Sequence, residues 1–298
     1  MRRLEFVVPT EYDGRKVLHY LRGVAGLSSR LIRCLKAYDN GMLLNGEHTR
    51  TVDIIHTGDK LTINLPEDNV DMEIANVDDG FTTLEDAGVE IVYEDEDLVA
   101  VNKPANLAIH PSHNHQGDTL ANLLAAHLKS QGKKSTFRAI GRLDKGTSGI
   151  VICGLNAYVA NLLQGHIKKT YFAIPSGRYE GSGTIDAPIY RPDPIKTYRT
   201  VDERGAYAIT HWTALKTSEN ASFVRVNIET GRTHQIRVHF AHLGTPLIGD
   251  TMYGEESPLI DHQSLHCGIA EFTHPVTGEK IVINAQIPKE MQAIIDTI

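Results

Sequence analysis

Apolar positions in this chain come in short groups, and their spacing switches between helical and alternating. From Lys16 to Arg22, Val17, Leu18 and Leu21 recur at helical intervals and predict a first helix. A second helix is predicted to run through Lys36, with Ser28 or Ser29 as its cap and Leu31, Ile32 and Leu35 on its apolar side. Arg30, Arg33 and Lys36 project away from that side, and Gly41 ends the segment. Met42-Leu43-Leu44 reads as a short strand, and Asn45-Gly46 as a two-residue hairpin turn. A second turn at Gly58-Asp59 precedes alternating Leu61, Ile63 and Leu65. Further on, Val89 to Tyr93 and Leu98 to Val101 read as strands, the latter stopped by Pro104. Val224, Val226 and Ile228 alternate with Arg225, Asn227 and Glu229, as in a strand with one buried face. Thr233 stands where it could cap a helix with Ile236, Phe240 and Leu243 on its apolar side and Gly244 at its end. Many short strands, few long helices and no repeat predict a mixed α+β architecture.

Composition and charge narrow the function. At 298 residues with 41% apolar and 22% charged positions, the chain has the make-up of an ordinary globular protein of two domains. No apolar run approaches the roughly 18 residues of a membrane span. Met1-Arg2-Arg3-Leu4-Glu5 lacks a signal-peptide core, and three scattered cysteines, Cys34, Cys153 and Cys267, argue against a disulfide framework or thiolate metal site. A reducing cytoplasm is the expected compartment. The net charge of −7 is unevenly spread. Met1 to Pro66 has 10 Lys/Arg against 7 Asp/Glu, a net of +3. Glu67 to Asp97 has 13 acids and no base, and Leu98 to Ile298 has 20 bases against 17 acids, again +3. The acidity therefore reads as a solvated linker between two mildly basic blocks, either of which can carry a nucleic-acid face.

Two segments concentrate chemistry. In Gly141-Arg142-Leu143-Asp144-Lys145-Gly146-Thr147-Ser148-Gly149, one carboxylate lies between two cations just before a turn. Flanking cations favour its ionised form, and an ionised carboxylate on a loop can act as nucleophile or base. In Glu229-Thr230-Gly231-Arg232-Thr233-His234-Gln235-Ile236-Arg237, two arginines sit at the mouth and first turns of a predicted helix, where one could pair with a carboxylate from elsewhere. His110, His113 and His115, with His239 and His242, suggest a metal site. The absence of HExxH or HxHxDH, and of carboxylates placed around them, favours loop contacts and polar helix positions instead. No metal is expected.

Taken in order, these segments resemble an RluA-type RNA pseudouridine synthase over about Val89 to Pro288. The resemblance rests on Asp97 to Pro104, His110-Pro111, Arg142-Leu143-Asp144 with Thr147-Ser148-Gly149, Lys169 to Ala173, and Gly231 to His239. It continues through Pro246 to Asp250, Tyr253-Gly254, Leu265-His266 and Phe272 to Pro275. Lys16 to Leu65 resembles the alpha-L RNA-binding motif. The resemblance implies an isomerase that turns uridines of structured RNA, ribosomal or transfer, into pseudouridine without a cofactor. It implies an α+β fold with a mixed, mostly antiparallel sheet, preceded by a small α/β RNA-binding module. The corresponding domains are 1–66, an acidic linker 67–88, and a catalytic domain 89–298. Asp144 matches the catalytic aspartate, Arg142 the side chain entering the space vacated by the flipped base, Tyr171 the aromatic stacking on uracil, and Arg237 the partner of the aspartate. Arg30, Arg33 and Lys36 are the expected phosphate contacts of the first module, and a monomer is the expected state. Three departures stand out: Gly141 where many relatives have His, Asn106 where Gly is usual, and Cys153-Gly154-Leu155-Asn156 after the turn.

Overall fold

The computed structural model describes residues 2–66, 83–112, 117–133 and 137–298. His113, His115 and most of the acidic stretch, 67–82, lie outside the described residues.

The first module is a four-stranded sheet ordered Arg2–Val7, Lys60–Leu65, Met42–Leu44, Glu47–His48, with helices Val17–Gly23 and Ser29–Leu35 packed on it. Alternation buries Leu61, Ile63 and Leu65 against Val17, Leu21, Ile32 and Leu35. Of the two serines, Ser28 is the cap: its hydroxyl accepts from the Leu31 amide at 3.2 Å. Asn45 and Gly46 both take positive φ, 54° and 91°, as a two-residue hairpin turn requires.

The second module is built on ten strands. Its main path runs Ser182–Asp186, Ile209–Thr217, Ser222–Ile228, Lys168–Ala173, Leu265–Thr273, Ser148–Gly154, Leu98–Lys103, Glu90–Glu94. Lys280–Asn284 joins at Leu265–Thr273, and Arg138–Ile140 at Ser148–Gly154. One pair, Ser148–Gly154 with Leu265–Thr273, is parallel and the others are antiparallel, so the sheet is mixed and mostly antiparallel. Ser148–Gly154 is buried at every position, which is why its sequence is a continuous apolar run rather than an alternating one. The parallel neighbour approaches so closely that a Cβ at Gly149 (φ 108°) would collide with the Cys267 backbone. Glycine is what lets this strand leave the preceding turn.

The two modules share one apolar core, to which Leu84 and Ala87 also belong. A charged clasp joins them. Arg2 donates from Nε and Nη2 to Asp97 at 3.0 and 2.8 Å and from Nη1 to Glu96 at 2.7 Å, and Asn156 donates to Asp97 at 3.0 Å. Among the described residues, no helix is long and apolar enough to cross a membrane.

One helix departs from expectation. Gln235–His242 is capped by His234 in the left-handed conformation (φ 58°), not by Thr233. No side chain caps its first-turn amides; instead the Gln235 side chain ties down the preceding loop, accepting from the Arg232 amide at 3.0 Å and the Thr230 hydroxyl at 2.8 Å. Ile236 and Phe240 are buried, but Leu243 is 47% exposed because the helix ends before it and Gly244 turns the chain away.

Candidate active site

Asp144 opens a tight turn, closed by the Thr147 amide donating to the Asp144 carbonyl at 3.0 Å. The turn is held from below. Lys103, fully buried at the end of its strand, donates from Nζ to the carbonyls of Lys145, Pro104 and Leu107 at 3.1, 2.8 and 2.9 Å. Its three hydrogens thus find three acceptors, which a buried ammonium requires. Burial pushes this amine down to about 7, against the attraction of Asp144. On the other side of the turn, Gln263 donates to the Thr147 hydroxyl at 3.0 Å.

The Asp144 side chain is 26% exposed, and its Oδ2 accepts from Arg237 Nη1 at 3.1 Å. Arg237 lies on the buried face of its helix and is itself fixed. Its Nε and Nη2 donate to Asp250 Oδ2 and Oδ1 at 2.7 and 2.8 Å, and Asp250 is fully buried. This fork geometry leaves one nitrogen, Nη1, to face Asp144. Burial works against the Arg237 charge, but the bonds to Asp250 and the attraction of Asp144 prevail and hold its pKa above the ordinary value. The guanidinium also lies 5.1 Å from the Tyr253 ring centre.

Tyr171, on the strand Lys168–Ala173, is buried and lies opposite Cys267 of the neighbouring strand. Burial first, then Cys267 and Asp144, pushes its hydroxyl well above the usual range, so it stays protonated at neutral pH. Arg142 is exposed at the rim of the turn. Partial desolvation and then the Arg142 charge lower the pKa of His110, whose ring meets Phe137 edge-on at 5.2 Å.

The structure thus brings Asp144, Arg237 and Tyr171 to one place, with Arg142 at its rim. Arg30, Arg33 and Lys36 stand apart, exposed at the Ser29–Leu35 helix of the first module. His239 is buried, and its ring nitrogens engage the Thr210 hydroxyl and the Ala187 carbonyl, both at 2.9 Å. Asn106 takes positive φ (64°), so it supplies the left-handed backbone for which Gly is usual. Gly141 is also left-handed (φ 74°), and a Cβ there would meet the Lys169 ammonium at 3.5 Å.

Four side chains of this site were given no role from the sequence: Lys103, Asp250, His234 and Tyr253. All lie inside the segments that carry the resemblance. The available signal was an unexplained charge or polar ring next to an apolar run, as Asp250 is after Leu247-Ile248-Gly249.

Comparisons with known proteins agree with this architecture. A family model described as RNA pseudouridylate synthase matches residues 97–242. The Bacillus subtilis protein named uncharacterized RNA pseudouridine synthase YjbO is 35% identical over 92% of this chain and 96% of its own length. Ribosomal large subunit pseudouridine synthase D of Pseudomonas aeruginosa is 33% identical over 88% of this chain and 84% of its own. Among solved structures, human RNA pseudouridylate synthase domain containing 1 superposes with a TM-score of 0.56 at 25% identity, covering 70% of this chain and 86% of that one. Similarity of this level over nearly the whole chain means that it belongs to the RNA pseudouridine synthase family, isomerases that convert uridine in RNA to pseudouridine.

Proposed function

We propose that Asp144 is the catalytic group of this isomerase and that it acts on a uridine flipped out of structured RNA. The observation that carries this reading is the partly exposed carboxylate held through one oxygen by an arginine that a buried aspartate already fixes. Such an arrangement aims Asp144 before substrate arrives, which is how preorganised sites lower barriers. In the reaction the bond from ribose C1′ to uracil N1 breaks and a bond from C1′ to C5 forms. The hydrogen on C5 leaves as a proton and N1 gains one, so nothing is oxidised and no group donor is consumed. That balance needs no cofactor and no metal.

In this reading Tyr171 packs on the flipped uracil and walls it from water, which limits hydrolysis of the cleaved intermediate. Arg142, exposed at the rim, enters the space left in the RNA stack, and its planar guanidinium suits stacking on bases while contacting phosphate. The first module, 1–66, binds RNA through Arg30, Arg33 and Lys36, residues 67–88 link it, and 89–298 carry the reaction. The enzyme works as a cytoplasmic monomer on ribosomal or transfer RNA. The Pseudomonas relative is named for the large ribosomal subunit, which makes ribosomal RNA the first substrate to map.

The experiment is pseudouridine mapping of total RNA from cells lacking the gene, complemented with wild type or with Asp144→Ala. Sites lost in the knockout and restored by wild type alone are the expected result and would also name the target. Restoration by Asp144→Ala would overturn the role of the aspartate. With purified protein, Asp144→Asn is expected to abolish turnover and leave RNA affinity within about three-fold, since it removes charge with little change of shape.

A further inference from the structure

A second group faces the Asp144 carboxylate. His234 begins the Gln235–His242 helix with φ 58°, an uncommon conformation for a residue other than glycine and one that persists where surroundings hold it. Its side chain is 10% exposed, and its Nε2 lies 3.9 Å from Asp144 Oδ2, the oxygen that Arg237 also contacts. That distance is too long for a hydrogen bond, but bonds in unliganded sites often shorten only when substrate closes them.

The other ring nitrogen decides what Nε2 can do. Nδ1 lies 2.8 Å from the Tyr253 hydroxyl, and that hydroxyl oxygen accepts from the Arg199 backbone N–H at 3.0 Å. A backbone N–H can only donate, so the Tyr253 hydrogen is available for Nδ1. A neutral ring whose Nδ1 accepts carries its hydrogen on Nε2, the atom facing Asp144. The ring is held neutral as well. Burial lowers its pKa, Asp144 and Asp250 oppose this, and Arg237 and Arg199 reinforce it. Tyr253 is itself seated, with the Arg237 guanidinium 5.1 Å from its ring and Tyr198 5.2 Å away.

We propose that Tyr253 is a positioning residue: it fixes His234 as the Nε2–H tautomer, so that His234 and Arg237 together hold Oδ2 of Asp144 and leave Oδ1 to meet the ribose. This rests on Asp144 being the reacting carboxylate. A neutral donor orients the carboxylate without adding a second full positive charge that would make it a weaker nucleophile or base. The same chain of bonds reaches the backbone at Arg199, where the 191–199 loop is braced from within. Arg191 Nε donates to the Lys196 carbonyl at 3.0 Å, and Arg199 Nη1 donates to those of Thr197 and Tyr198 at 2.6 and 2.9 Å. The seating of that loop therefore sets the direction of the Asp144 carboxylate.

The test uses bulk RNA from cells that lack the gene, grown on uridine tritiated at C5, and follows tritium release by the full chain. Tyr253→Phe keeps the ring and removes the hydroxyl. It is expected to lower the maximal rate roughly ten-fold while KM for RNA and the melting temperature stay at wild-type values, in line with losses on removing a group that orients a reacting one. His234→Asn keeps a residue that tolerates the left-handed backbone but is too short to reach Asp144, and is expected to lose at least as much. The double variant should be no slower than His234→Asn alone, because both changes break one chain. Imidazole nitrogen NMR should show His234 protonated at Nε2 and bare at Nδ1. A wild-type rate in Tyr253→Phe, losses that multiply in the double variant, or a hydrogen on Nδ1 would each overturn the proposal. Tritium release by Asp144→Asn at the wild-type rate would instead strike the role of Asp144, a result distinct from an inactive Asp144→Asn beside an unaffected Tyr253→Phe.

Discussion

Arg237 directs Nε and Nη2 at Asp250 and Nη1 at Asp144, so one side chain serves a structural pair and a candidate catalytic one. Arg237→Met should therefore have two separable effects. Turnover should fall because Asp144 loses its counter-charge, and stability should fall by about 3–5 kcal/mol because Asp250 is left buried and unpaired. Denaturant melts would check the second, and the double variant Arg237→Met with Asp250→Leu should recover much of the stability but none of the turnover. Lys103 gives a pH dependence. The folded chain releases its proton near 7, whereas the unfolded chain holds it up to the ordinary value of 10.5. Between those limits the unfolded state binds more protons, so the contribution of Lys103 to stability rises with pH. Urea midpoints of wild type measured against Lys103→Met across this window should show that rise, and a fall would contradict it. At this scale the sequence spoke unevenly. Asp144, Tyr171 and Arg237 were given roles because the resemblance assigns one to each of those positions, whereas it assigned none to Lys103 and Asp250 although both lie in matching segments. A charge destined for the core looks the same in one dimension as a charge on the surface.

The strand Ser148–Gly154 carries the turn of Asp144 and lies between the parallel strand Leu265–Thr273 and the antiparallel Leu98–Lys103. Gly149→Ala would drive a methyl into the Cys267 backbone at a φ that alanine avoids, so it is expected to cost more than about 3 kcal/mol and to remove activity with it. Elements were the most legible level. Alternation at Leu61, Ile63, Leu65 and at Val224, Val226, Ile228, and the Asn45-Gly46 pair, follow from local rules. The start of Gln235–His242 did not, because its cap is a left-handed histidine supported by Tyr253 from 19 residues away, and no local rule carries that information.

Across the whole molecule, the cations of the first module and the turn of Asp144 belong to one body, joined by a shared core and by Arg2 on Asp97. Removing residues 1–66 would expose that core, so the RNA contribution of this module is better tested on the surface. Replacing Arg30, Arg33 and Lys36 together by Gln should leave the melting temperature unchanged, weaken RNA binding, and reduce the salt slope by up to about 3. An unchanged slope would mean that this face does not meet phosphate. The order in which the chain supplies its parts has a consequence for synthesis. Asp144 leaves the ribosome well before the groups that complete its surroundings, Arg237, Asp250 and Gln263, and the parallel strand that receives Gly149 comes later still. Pairings between residues more than a hundred positions apart form late in folding. The nascent chain therefore presents the Asp144 carboxylate before Arg237, Asp250 and Gln263 exist to surround it, and the arrangement proposed for catalysis is assembled only as those later segments join the sheet.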